Sequence, residues 1–83
     1  MTDISLNDRL IIIQYAIQKY ENEATLLEKL KTVMSDKDVQ RGIDTLIGTQ
    51  RVRRIGPEIL QNNISHTELP DLPDNLKPII DSL

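Results

Sequence analysis

The chain has 83 residues, enough for one small domain with a modest core. It contains no Cys and a single His, so neither disulfides nor metal sites built on thiolates or paired His are expected. The net charge of −3 argues against a protein that coats nucleic acid through bulk charge. The longest apolar run is Leu10–Ile13, far too short to span a membrane, and a cytoplasmic protein is therefore the expectation.

The charge is unevenly distributed along the chain. Residues 35–57 carry five basic and three acidic groups, a net of +2, whereas residues 58–83 carry one basic and five acidic groups, a net of −4. An acidic average with a local basic strip leaves room for a localised anion-binding site.

The first predicted helix begins after Ser5, which forms a capping-box pattern with Asp8. Apolar residues then recur at spacings of 3 and 4, as on one helix face: Leu6, Leu10, Ile13, Ile17 and Tyr20, widened by Ile12 and Ala16. Ile11 lies off this stripe. It is either a second core contact or part of a dimer contact through helix 1.

Two further capping patterns predict two short helices. Asn22 is expected to end helix 1 in the left-handed conformation, and Thr25 with Glu28 to begin helix 2, which runs to about Val33 or Met34. Its predicted buried residues are Leu26, Leu27, Leu30 and Val33.

The third helix is predicted to start at Ser35, which pairs with Asp38. It directs Val39, Ile43, Leu46 and Ile47 inward. Gly42 in its middle costs roughly 1 kcal/mol relative to Ala, so either the helix approaches a neighbour closely there or it is locally weak.

A basic β-hairpin is predicted after Gly48. The run 51–55 contains β-branched Val52 and Ile55, Gly56-Pro57 indicates a turn, and 58–61 returns as a second strand. Gly-Pro is not a favoured tight hairpin turn, so a loop of three or more residues is expected.

The remaining chain is an acidic, proline-containing tail. Residues 62–73 are predicted to be an extended linker, with His66 as an exposed loop residue. Residues 73–83 either stay disordered or form a short amphipathic helix that docks on the domain or on a partner. Pro78 is tolerated in the first turn of such a helix.

The order of these elements resembles the winged helix-turn-helix superfamily of transcription regulators. The resemblance rests on Thr25–Leu30, the Met34-Ser35 turn, the spacing of Val39, Ile43 and Leu46, and the segment 48–54 that leads into the hairpin. It implies a mainly α fold of three helices plus a β-hairpin wing in residues 1–61, followed by the tail, 62–83.

The resemblance also implies binding to double-stranded DNA, with helix 3 in the major groove and the wing on the backbone or minor groove. Carried over by position, the groove-facing residues are Lys37, Gln40, Arg41 and Thr45, and the wing residues are Arg51, Arg53 and Arg54. Arg41 or Gln40 would read a base edge. The alternative is ordinary solvated charge, or salt bridges between these arginines and the acidic tail.

A small DNA-binding transcription regulator is therefore the predicted function. One module with so few basic contacts binds weakly, which favours a homodimer through helix 1 or the tail. The alternative is a winged-helix module that binds a protein partner, which the acidic pI of about 5.0 and the Asp residues of helix 3 favour.

An enzyme is not expected, because the chain lacks Cys and a glycine-rich phosphate loop. No catalytic residue, cofactor or metal is predicted.

Overall fold

The computed structural model describes residues 5–63 and 71–83. This part of the chain is mainly helical, with one antiparallel hairpin, and the predicted order of three helices followed by a hairpin is confirmed. The elements are α1 (Leu6–Lys19), α2 (Glu23–Leu30), α3 (Asp36–Gly48), β1 (Val52–Gly56), β2 (Ile59–Asn62) and α4 (Lys77–Asp81).

Serine caps start α1 and α3, as predicted. The Oγ atom of Ser5 accepts the backbone N–H of Asp8, and that of Ser35 accepts the backbone N–H of Asp38, both at 3.2 Å. Each bond satisfies one of the donors that a helix leaves unpaired in its first turn.

The predicted start of α2 is wrong. Asn22, not Thr25, is the N-cap: its Oδ1 accepts the N–H of Thr25 at 3.1 Å. Asn22 therefore has an extended rather than a left-handed backbone (φ −76°, ψ 125°), and α2 starts at Glu23 and ends at Leu30. The backbone of Asn22 also forms an antiparallel bridge with Ile59. This contact joins distant parts of the chain, so local sequence patterns cannot show it.

The core lies between α1, α2, α3 and the inner face of the hairpin. Ile11 is buried there, so its interpretation as a core contact is confirmed. Leu6 was predicted to be buried but is 62% exposed, because it stands in the first turn of α1 at the edge of the molecule. The buried apolar residues are Ile11, Ile12, Ile13, Ala16, Ile17, Leu26, Leu30, Met34, Val39, Ile43, Leu46, Val52, Leu60, Leu76 and Ile80.

Gly42 lies where α3 packs closely against α1. A Cβ atom at this position would collide with Cδ1 of Ile13, and Gly42 is itself buried. Of the two sequence interpretations, close approach to a neighbouring helix is the one the structure confirms.

The hairpin differs from the prediction at its turn. Gly56 pairs with Ile59, so only Pro57 and Glu58 form the loop, which is shorter than expected. The ladder shifts register between Arg54 and Gly56, and this bulge at Ile55 allows the strands to meet across a tight Gly-Pro turn. The strands are also offset by one residue from the predicted 51–55 and 58–61, since Val52 and Asn62 face each other at the open end.

The segment between α1 and α2 lies along the outer edge of β2. The N–H of Leu60 donates to the carbonyl of Glu21 at 2.8 Å, and the N–H of Glu23 donates to the carbonyl of Glu58 at 2.7 Å. These bonds fix the hairpin to the start of α2.

The end of the tail forms α4 and packs on α1. Leu76 and Ile80 are buried, and Nζ of Lys19 donates to the carbonyl oxygen of Ile80 at 2.9 Å. Of the two interpretations, the docked helix is confirmed, with Pro78 in its first turn. The predicted linker lies largely outside the described residues, as does His66.

Candidate nucleic-acid interface

The four predicted residues of α3 share its outward face. Burial of Val39, Ile43 and Leu46 on the opposite side turns this face to solvent, and all four side chains are exposed: Lys37, Gln40, Arg41 and Thr45. The hydroxyl of Thr45 donates to the carbonyl oxygen of Arg41 at 2.9 Å, so it keeps only its acceptor capacity for a ligand.

A groove between the start of α1 and α3 extends this face. Arg9 lies across the groove and pairs with Asp38, with Nη1 and Oδ1 3.8 Å apart. The pattern of helix 1 did not single out Arg9, because its place beside α3 depends on how the two helices pack. The lining residues are Leu6, Arg9, Asp38, Arg41, Gly42, Asp44 and Thr45.

The hairpin places two arginines on its outer face. Val52 is buried and faces the core, so Arg53 beside it in β1 points outward; Arg53 and Arg51, the residue before β1, are both exposed. Arg53 donates to Oε1 of Gln61, its cross-strand neighbour, at 3.0 Å. The N–H of Arg51 donates to the carbonyl of Leu46 at 2.9 Å, so the basic strand begins directly beside the end of α3.

Arg54 has a different environment. Its Nη1 and Nη2 atoms donate to Oε1 and Oε2 of Glu23 at 3.3 and 3.0 Å, and Nη1 also reaches the carbonyl oxygen of Pro57 at 3.3 Å. The hydrogen bonds with Glu23 raise the pKa of the Arg54 guanidinium above its usual value. Sequence reasoning missed Glu23, which stands 31 residues earlier in the chain. A DNA contact by Arg54 stays a prediction.

Four basic side chains of the predicted site belong to no ion pair within residues 5–63 and 71–83. The ion pairs there are Arg9–Asp38, Arg54–Glu23 and Lys77–Asp74. The unpaired basic side chains of the site are Lys37, Arg41, Arg51 and Arg53.

Acidic and apolar groups interrupt this surface. Asp36, Asp38 and Asp44 also lie on α3, so the basic character comes mainly from the hairpin. Ile55 and Ile59, which flank the turn, are 52% and 41% exposed. The surface is therefore mixed rather than uniformly basic.

Among the described residues, no group of three or more His, Cys, Asp or Glu is arranged to hold a metal ion. None of the helices in that part of the chain has the length and hydropathy needed to cross a bilayer. Comparison of the chain with protein-family models, with curated protein sequences and with solved structures found no significant match.

Proposed function

We propose that the protein binds double-stranded DNA as a small winged-helix transcription regulator, through the outward face of α3 and the outer face of the hairpin. One observation carries the proposal. Lys37 and Arg41 on α3, Arg53 on β1 and Arg51 directly before β1 are exposed and free of ion pairs among the described residues. Unpaired cations on adjoining elements are the groups that phosphate oxygens attract.

The two elements have different roles in the proposed complex. α3 lies in the major groove, where the Arg41 guanidinium or the Gln40 amide makes paired hydrogen bonds to a base edge, and Lys37 and Thr45 contact the flanking backbone. Arg51 and Arg53 contact phosphates. The described end of the tail packs on α1, which leaves these side chains open to solvent.

Salt-dependent binding tests the proposal. Binding of the full chain to a duplex of random sequence is followed by fluorescence anisotropy at several salt concentrations, for the parent and for a double variant, Arg51→Ala with Arg53→Ala. The binding constant falls as salt rises, and each phosphate contact contributes about 0.9 to the magnitude of the slope of log K against log salt concentration. Losing two contacts therefore makes the slope about 2 less steep.

The matched control is Lys31→Ala with Lys77→Ala, which removes the same charge from exposed positions directly after α2 and at the start of α4. We expect this control to weaken binding far less and to leave the slope nearly unchanged. Equal losses in the two double variants, or no loss in the hairpin variant, would rule out a DNA interface at the hairpin.

A second candidate function is a protein-binding winged-helix module. The observation that favours it is the exposure of Ile55 and Ile59 at the hairpin turn, since exposed apolar side chains beside a polar rim are typical of protein contacts. If the parent chain shows no salt-dependent affinity for duplex DNA, this candidate replaces the first.

A further inference from the structure

We propose that Arg54 is a positioning residue of the DNA interface: held by Glu23, it fixes the hairpin on α2 so that Arg51 and Arg53 face the DNA, and makes no phosphate contact itself. The inference rests on the proposed function. It separates the three hairpin arginines, which are indistinguishable in the sequence, into two that contact DNA and one that does not.

Arg54 already has hydrogen-bond acceptors on both α2 and the hairpin turn. The guanidinium spans both carboxylate oxygens of Glu23 and also reaches the carbonyl oxygen of Pro57. The Glu23 side chain is only 16% exposed, whereas that of Arg54 is 37% exposed, so the carboxylate is the shielded member of the pair. Moving Arg54 to a phosphate would break these bonds and leave a shielded carboxylate unpaired.

The pair of Arg54 and Glu23 lies at the junction between the hairpin and α2. The backbone bonds from Leu60 to Glu21 and from Glu23 to Glu58 attach β2 and the turn to the start of α2. Arg54 crosses the same junction from β1, so a single guanidinium connects β1, the turn and α2.

Side chains alternate between the two faces of β1. Arg53 pairs across the ladder with Gln61 on the outer face, while Arg54 pairs with the buried Leu60 on the inner face. Because neighbouring side chains of a strand point to opposite faces, holding Arg54 towards α2 directs Arg53 to the outer face. Arginine suits this role because its planar fork bonds both carboxylate oxygens, which a Lys ammonium cannot do in the same way.

Two glutamate substitutions test the inference, because it predicts a change in DNA affinity in the opposite direction to the change that charge alone would cause. Glu23→Gln and Glu21→Gln each remove one negative charge from neighbouring positions. Simple electrostatics predicts that both raise affinity for a polyanion slightly. If Arg54 is a positioning residue, Glu23→Gln instead lowers affinity by roughly three- to tenfold, because the hairpin is then less pre-organised.

Two substitutions of Arg54 distinguish a positioning role of this side chain from a direct contact with a DNA phosphate. Arg54→Ala should weaken binding with the salt slope unchanged, whereas loss of a phosphate contact lowers the slope by about 0.9. Arg54→Lys should resemble Arg54→Ala, since it keeps the charge but not the fork. Hydrogen exchange provides a readout without DNA: the Leu60 amide should exchange faster in Glu23→Gln and Arg54→Ala, but not in Glu21→Gln.

Three results overturn the inference while leaving DNA binding intact: equal affinity gains in Glu21→Gln and Glu23→Gln, a reduced salt slope in Arg54→Ala, or full affinity in Arg54→Lys. Absence of binding by the parent chain is a different failure, since it removes the proposed function and the inference falls with it.

Discussion

The side-chain amide of Asn62 donates to the main-chain carbonyl oxygen of Gln14 at 2.8 Å in the interior, joining the end of β2 to the middle of α1. The same amide nitrogen also reaches Oε1 of Gln18 at 3.3 Å. No donor within the described residues bonds to Oδ1 of Asn62. The surroundings of residue 62 therefore favour a donor at this position, and none of the described residues donates a hydrogen bond that would stabilise a negative charge there.

Asn62→Asp should therefore destabilise the protein in a pH-dependent way. The introduced carboxylate faces two oxygen acceptors in a buried site, so its folded-state pKa is raised above the unfolded value of about 3.9. We expect a loss of roughly 2 kcal/mol or more at pH 7. The loss shrinks as the pH falls from the raised pKa towards about 3.9, because the folded protein then binds a proton that the unfolded chain still lacks. The part of the loss that is due to charge disappears only below that pH, where the carboxyl is protonated in both states.

Urea unfolding of Asn62→Asp and Asn62→Leu between pH 4 and 8 measures this effect. Asn62→Leu removes the donor without adding a charge, so its destabilisation of about 1 kcal/mol should not depend on pH. Parallel pH profiles for the two variants would contradict the buried amide contact.

The helix starts show how much of the fold could be predicted from the sequence. Ser5 and Ser35 cap their helices through residues three positions away, and local patterns contain that information. Asn22 was misassigned because its extended backbone is held by pairing with Ile59, which a local pattern does not contain. The short turn was missed for the same reason, since the bulge at Ile55 follows from the register of two strands.

The candidate interface was likewise predicted only in part from the sequence. Periodicity predicted the inward side of α3 correctly for Val39, Ile43 and Leu46, and the residues on the opposite side are exposed: Lys37, Gln40, Arg41 and Thr45. Sequence alone did not distinguish Arg54 from Arg53, since the partner of Arg54 lies on a different helix.

Gly42→Ala should destabilise the packing of α1 against α3. The added methyl collides with Cδ1 of Ile13, a fully buried side chain, and such overpacking costs about 1–3 kcal/mol. A gain of roughly 1 kcal/mol in helix propensity offsets only part of this cost. We expect a net loss of about 1 kcal/mol in the free energy of unfolding.

Gly48→Ala is the matched control in the same helix, because a Cβ there meets nothing within 4 Å. Thermal and urea unfolding should rank Gly48→Ala at or above the parent and Gly42→Ala below it. The opposite ranking would show that α1 and α3 are not in close contact at Gly42.

Because α4 packs on α1, we expect residues near the C-terminus to contribute to the free energy of unfolding. Leu76 is 2% exposed, and truncating a buried Leu typically costs 2–5 kcal/mol, so Leu76→Ala should lower the urea midpoint clearly. Asn75→Ala, at an exposed neighbouring position, is the control and should change little. If both variants unfold like the parent, α4 does not pack on α1 in solution.

We also expect the protein to act as a homodimer, since one small module supplies too few contacts for tight binding. With Ile11 in the core and α4 on α1, the exposed apolar group left on α1 is Leu6. Sedimentation at micromolar concentration should give about twice 9.5 kDa for the parent and a monomer for Leu6→Glu. Ile55→Glu, on the hairpin, should remain dimeric. A monomeric parent would exclude a dimer in this concentration range.

The last prediction separates base recognition from backbone contact. A preferred sequence is first selected from a pool of random duplexes, and variants are then compared on that duplex and on single-base changes of it. Arg41→Ala should abolish discrimination at one base pair, a loss of about 1–3 kcal/mol between right and wrong base, because its fork no longer bonds a base edge. Arg53→Ala should weaken binding to every duplex by a similar factor, since phosphates are the same in all sequences. If Arg41→Ala also weakens all duplexes equally, then Arg41 contacts the backbone and α3 does not read bases through it.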